Sequence, residues 1–288
     1  MNRPVVAAVD GSSHSVQAAL WAADEAVRRG DSLRLVYVSP WLIAMPKVPE
    51  HEDARTAAVR MLSHTRSELH LRHPGLSVEI DPVTDEVVPG LIGVARDSSL
   101  LVLGSRGLGG FAGLLVGSVS LAVTAHAESP VVVVPTARPG RGEGSSGPRI
   151  VVGVAGDGPT APVMEFAMAE AALCGGRVHA VHGWDVPPNW SSLGWAMPVV
   201  PGADLQAAED RRLTASLLDW RDKFPDTEIV EEARVGGGSA GLVHASEGAD
   251  MVVIGRRIRT HDMGMRLGPI AHAVLHHAHA PVAVVPHV

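Results

Sequence analysis

The chain has 288 residues, of which 46% are hydrophobic and 19% charged, and a formal net charge of −7. This is globular composition at a length that accommodates two domains, and it excludes both a wholly disordered chain and a basic nucleic-acid binder. Lys47 and Lys223 are the only lysines and Cys174 the only cysteine, so an internal disulfide is ruled out and a phosphate site must rely on amides, hydroxyls or arginine.

Five apolar residues, Val5 to Val9, follow Met1–Pro4 and precede Asp10. The run is too short for a signal segment and no later run has membrane-span length, so a cytoplasmic location is expected. From here apolar runs alternate with helical patterns. Strands are expected at roughly 4–9, 33–39, 77–82, 99–104 and 131–135, with helices at roughly 13–29, 51–72, 87–97 and 117–127. Continuous apolar stretches such as Leu100–Leu103 and Val131–Val134 suit strands covered on both faces. The order reads as βαβ units on a parallel sheet.

Thr136 to Gly147 is rich in glycine, serine and proline and reads as a linker. Beyond it the pattern repeats. At an offset of 145, Val9 meets Val154, Gly11 meets Gly156, Glu25 meets Glu170 and Gly30 meets Gly175. Near the end the offset is 151, where Gly104 meets Gly255, Gly117 meets Gly268, and Pro130 and Pro135 meet Pro281 and Pro286. A six-residue insertion explains the change, and the proline-rich Trp184–Gly202 segment with its three tryptophans is the natural place for it. The chain is therefore read as a first domain at 1–137, a linker at 138–147 and a second domain at 148–288. The expected fold is α/β: two tandem doubly wound five-stranded parallel-sheet domains packed as a pseudo-dimer.

The chemistry-bearing loop follows the fourth strand. It reads Gly104-Ser-Arg-Gly107, nine residues, then Gly117-Ser118-Val119-Ser120. Glycines permit close approach of a phosphate, and the amides opening the next helix form an anion seat that the hydroxyls of Ser118 and Ser120 extend. Ser118 as a simple helix cap is the bland alternative. A Walker loop is excluded because no lysine lies near, and a Rossmann fingerprint because the loop does not follow the first strand.

With this loop, the acidic strand end Asp10-Gly11-Ser12 and the closing His126-x3-Pro130-Val-Val-Val-Val, the chain resembles the universal stress protein family in its tandem two-domain bacterial form. The family's ATP-binding members carry G-x2-G-x9-G-[S/T], which Gly104, Gly107, Gly117 and Ser118 match throughout. The resemblance implies that Asp10 lies beside the ribose or adenine and that the backbone around Val38 holds the adenine edge. Taken alone, Asp10-Gly11-Ser12 is also an ordinary helix-entry turn. The expected binding residues are thus Asp10, Val38, Gly104, Gly107, Gly117, Ser118, Val119 and Ser120, with ATP as ligand and Mg2+ as an optional companion.

The second copy departs from the pattern. Ile258 replaces the second glycine, Pro269 the hydroxyl residue and Ala155 the acid. Proline has no amide for a phosphate, so weak or absent binding is expected there. Arg256, Arg257 and Arg259 could attract an anion, but a solvated basic loop is the expected reading. His272, His276, His277 and His279 crowd the last helix, but no carboxylate or cysteine is fixed nearby to complete a metal site.

No catalytic constellation emerges. The leading function is a nucleotide-dependent stress-response regulator with at most weak ATP hydrolysis. The alternatives are a slow ATPase or phosphotransferase and an interaction protein with a relic loop. ATP and protein partners are expected, nucleic acid and membrane are not. The halves are expected to join through Val131–Val134 and Val282–Val285, short apolar edge strands that gain by being covered, and a homodimer stays open.

Overall fold

The computed structural model describes residues 3–42, 49–107, 115–136, 147–156, 158–185, 202–258 and 267–288. The first half contains β1 (Val5–Ala8), α1 (Ser13–Arg29), β2 (Leu33–Ser39), a 3-10 turn at Pro40–Leu42, α2 (Pro49–Arg72), β3 (Val78–Thr84), α3 (Val87–Arg96), β4 (Leu100–Gly104), α4 (Ser118–His126) and β5 (Val131–Val134). The second contains β6 (Arg149–Gly153), α5 (Ala161–Cys174), β7 (Arg177–Trp184), α6 (Gly202–Ser216), α7 (Leu218–Lys223), β8 (Ile229–Val235), α8 (Gly238–Ala245), β9 (Met251–Arg257), α9 (Pro269–His277) and β10 (Val282–His287).

The ten strands form one sheet in the order β3-β2-β1-β4-β5-β10-β9-β6-β7-β8. Within each half neighbouring strands are parallel; only β5 and β10, at the centre, run antiparallel, with Val133 opposite Val282, Val132 opposite Ala283 and Val131 opposite Val284. The expected joining strands therefore do meet. They merge two sheets into one, leaving β3 and β8 as the outer edges.

Alternation along the strands divides the core. Val5, Ala7, Val132, Val134, Ala283 and Val285 pack on one face, beneath the helices that carry Ala22, Leu62 and Met164. Val6, Val131, Val133, Val282 and Val284 pack on the other with Leu91, Val123, Leu242 and Val274. Side chains of a strand alternate between faces, so both cores run without a break through both halves.

The repeat is visible in local detail. Gly30 and Gly175, 145 apart, end α1 and α5 in left-handed conformation with φ of 67° and 61°, a helix stop that glycine adopts without a Cβ penalty. The ends of β2 and β7 are also 145 apart, whereas the starts of β3 and β8 are 151 apart. The six extra residues therefore lie between Trp184 and Ile229. Most of Trp184–Gly202, and the linker at 138–146, lie outside the described residues. One element departs from strict repetition: the counterpart of α2 breaks into α6 and α7 at the fully buried Leu217. There Ser216 Oγ donates to Leu213 O at 2.8 Å, a local bond that competes with helix continuation.

Candidate functional site

In the first half the strand order reverses between β1 and β4, the place where doubly wound sheets open a crevice at the carboxyl ends of their strands. A cavity of about 610 Å³ lies there, and all eight residues singled out from the sequence line it. Three segments bring them together.

The first is the end of β1. Asp10 Oδ1 accepts from the amide of Ser12 at 3.0 Å, and Ser12 Oγ accepts from the amide of Ser15 at 3.2 Å, capping α1. The helix-entry reading is therefore correct in itself, yet Asp10 also lines the cavity. A Cβ on Gly107 would run into Asp10 Oδ2, so that glycine admits the carboxylate. The second segment is the end of β2. Val5 N bonds Ser32 O and Val9 N bonds Val36 O, while Leu33 N bonds Ser77 O on the β3 side. Polar groups of alternate residues point to alternate neighbours, which turns those of Val38 toward β1. β1 pairs with β2 only as far as Val36, so Val38, which lines the cavity, lies beyond that pairing.

The third segment is the glycine loop. Gly117 N donates to Ser105 O at 2.7 Å, so the loop leaves β4 and returns to α4 at one point. Gly117 is the cap of α4, with φ −76° and ψ 155°, and Ser118 is the first helical residue. The cap reading of Ser118 is thus corrected: the residue is exposed at the helix opening. Amides of Ser118, Val119 and Ser120 belong to a first turn, which has no acceptors of its own for them. Ser120 needs a second correction. Its side chain is buried and its hydroxyl donates to Gly104 O at 2.8 Å, so it ties helix to strand instead of offering that proton to a ligand.

The three motif glycines do unequal work. A Cβ on Gly104 would lie 2.9 Å from the backbone carbon and oxygen of His14, so this glycine serves the packing of α1 on β4. Gly117 differs. Its dihedrals suit any residue, and a Cβ would meet nothing closer than Ser105 O at 3.6 Å. Among the described residues nothing demands glycine there.

The cavity also has residues that motif reading passed over: Tyr37, Trp41, Val87, Leu91 and Arg106. Arg106 occupies a free position within G-x2-G, and the others lie far away in sequence, so spacing gave no sign of them. Its wall is apolar toward β2 and α3 and polar toward Asp10 and α4.

At the equivalent place the described residues of the second half pack differently. Backbone of Gly237 and Gly238 presses on Gly183, the counterpart of Val38, so closely that any side chain there would collide. Leu242, the counterpart of Leu91, lies 3.1 Å from the Cβ position of Gly153. His182 replaces Tyr37 and is held by Val154 O at 3.0 Å and by Glu209 at 3.5 Å. Arg256 is not solvated, as the sequence suggested, but buried, and its guanidinium donates to Ala127 O of the first half. Arg257 is exposed, and Arg259 lies outside the described residues. On α9, the rings of His272 and His276 lie 4.5 Å apart, tilted by 31°, and burial with two neighbouring imidazoles holds His276 below the usual histidine range. Among the described residues no three His, Cys, Asp or Glu side chains gather as a metal ligand set, and no helix is long and apolar enough to cross a membrane.

The model of the universal stress protein family matches the chain twice, over residues 1–135 and 148–286. The chain belongs to this family. A universal stress protein of Mycobacterium tuberculosis is 30% identical over 310 residues, covering 98% of this chain and 95% of its own. One from Mycolicibacterium smegmatis is 27% identical over 296 residues, covering 98% and 96%. Among solved structures, a universal stress protein of Archaeoglobus fulgidus superposes with a TM-score of 0.66 at 20% identity, covering 99% of both chains; at that identity the likeness concerns the fold. The tandem arrangement of two universal stress protein domains is thus a property of the whole chain, shared with relatives of nearly equal length.

Proposed function

We propose that the first half of this universal stress protein binds ATP, and that occupancy makes the protein a nucleotide-dependent regulator in the stress response, not an efficient enzyme. One observation carries the reading: an acidic strand end, a strand end that runs beyond its pairing with β1 and a helix opening converge on a cavity at the switch point. Its volume, about 610 Å³, lies in the range of small-molecule and cofactor sites. Asp10 would accept from a ribose hydroxyl, Val38 would address the adenine edge, and the amides of Ser118 to Ser120 would receive the phosphates, helped by the positive end of α4. Mg2+ would arrive on the phosphates; the described lining offers it a single carboxylate, Asp10, in keeping with that ion's habit of binding few protein ligands. In the second half Gly237–Gly238 lies against Gly183 where the first half carries Val38, and Pro269 offers no amide at the helix opening, so one nucleotide per chain is expected.

Mass analysis of nucleotide released from purified protein, followed by calorimetric titration with ATP, tests this. One tight site per chain, with no saturating ATP turnover, is the expected result. Absence of binding, or two sites of comparable affinity, would overturn the assignment.

A further inference from the structure

Arg106 is the one basic side chain among the described lining residues of the cavity, and Asp10 the one acidic side chain. The arginine lies beside the helix opening: a Cβ on Gly117 would be 3.7 Å from Arg106 Cα. Its Nε is buried and has no hydrogen-bond partner among the described residues. Among the described residues it forms no ion pair. The neighbouring stretch 108–114, Leu-Gly-Gly-Phe-Ala-Gly-Leu, has no acidic or hydroxyl side chain to supply one. A buried guanidinium donor without an acceptor is costly, and an oxyanion that supplies one recovers that cost with a charge-assisted bond. The fork of an arginine matches phosphate oxygens, whereas nothing uncharged in a nucleoside makes the same demand.

We propose that Arg106 is the specificity-determining residue that makes this cavity select polyphosphates over uncharged nucleosides. The proposal rests on the nucleotide reading above and extends it. The amides of α4 accept any anion of suitable shape, while Arg106 adds a full charge and fixed geometry at the same opening. The second half supplies an internal control. Arg257, at the equivalent position, is exposed beside Ile258, and the helix that follows opens with Pro269, which has no amide to offer.

The test compares ATP, adenosine and inorganic triphosphate as probes in calorimetric titrations of the full chain, for the parent, Arg106→Gln, Arg106→Lys and Arg257→Gln. Arg106→Gln is expected to weaken ATP and triphosphate by at least about tenfold, the loss that follows removal of a charged donor, and to leave adenosine unchanged. Arg106→Lys should fall between, and Arg257→Gln should match the parent. ATP affinity of the parent should also decline with added salt more steeply than that of Arg106→Gln. An unchanged thermal melt for each variant separates binding from folding.

Equal affinity of Arg106→Gln and parent for ATP would overturn the proposal while leaving the nucleotide reading intact. So would an equal loss for ATP and adenosine, or a parent that does not distinguish them. Conversely, a parent that binds triphosphate through Arg106 but gains nothing from the adenosine moiety would sink the nucleotide reading and leave the arginine's role standing. A parent that binds none of the three probes would sink both.

Discussion

Gly104, Gly107 and Gly117 share a motif but answer different physical demands. Gly104 makes room for the backbone of His14, Gly107 makes room for Asp10, and nothing among the described residues needs Gly117. Gly104→Ala is therefore expected to destabilise the fold by about 1–3 kcal/mol, the usual cost of overpacking, which a urea unfolding curve would show. Gly117→Leu should leave that curve in place and abolish ATP binding by filling the helix opening. Ser118→Asp gives the sharper result. A carboxylate on an exposed first-turn residue favours the helix by about 0.3–1 kcal/mol, yet it repels phosphate. Raised stability with lost ATP affinity is expected; a variant that melts higher and still binds ATP like the parent would show that the phosphates go elsewhere.

Helix α4 connects the cavity to the other half of the molecule. Its opening lies at the cavity, and past its far end Ala127 O receives the guanidinium of Arg256 from the second half. The carbonyl end of a helix is where a cation is favoured. Arg256 thus serves the joint between the halves. Arg256→Met keeps much of the side-chain volume and removes the bond. It should cost about 1–3 kcal/mol, as loss of a buried charged hydrogen bond does, with ATP still bound once per chain. A loss of ATP binding with stability unchanged would contradict this division of labour.

Across the whole molecule the joint is both apolar and charged. Beneath the paired β5 and β10 cores, Arg29 of α1 reaches Glu170 of α5 and also binds Glu25, its counterpart in the repeat. Arg29 lies over Phe166 as well, 5.6 Å from the ring centre. Burial, together with the charge of Glu25, pushes Glu170 up to about 8. Burial opposes charge on Glu25 too, but Arg29 and Arg28 outweigh it and hold that carboxyl below the usual range. The signs then follow. Glu170 keeps its proton in the fold but loses it near 4.5 when unfolded, so its contribution declines as pH rises from about 4.5 to about 8. Glu25 contributes stability above the ordinary carboxylate value, and that part is lost as pH falls through its lowered value. Glu170→Gln, which keeps a hydrogen-bonding group without the acid, should flatten the decline between pH 5 and pH 8 in a melting-temperature series, and should melt higher than the parent at pH 8. An identical pH profile for both proteins would show that Glu170 does not titrate across this window. Because both cores pass through the joint, a single cooperative transition is expected at every pH.

Local residue order determined much of this protein. Continuous valine runs bound strands within a residue or two of those observed, since burial on both faces tolerates no polar interruption. The repeat located two domains, and Gly30 and Gly175 recorded equivalent helix stops. The glycine spacing located the loop and helix opening on one side of the cavity, because a tight turn followed by a helix opening is a local device. Other features depended on tertiary placement. Ser120 looked like a ligand donor until folding brought Gly104 O to it, and Arg256 looked solvated until β10 paired with β5 and brought Ala127 within reach. Arg106, Tyr37 and Leu91 became neighbours only through the crossing of strands far apart in sequence. The second half showed its altered loop in its residues, but not that Gly237–Gly238 presses on Gly183. Sequence patterns report forces that act within a few residues; packing between distant segments decides which polar groups are already satisfied and which face an open cavity.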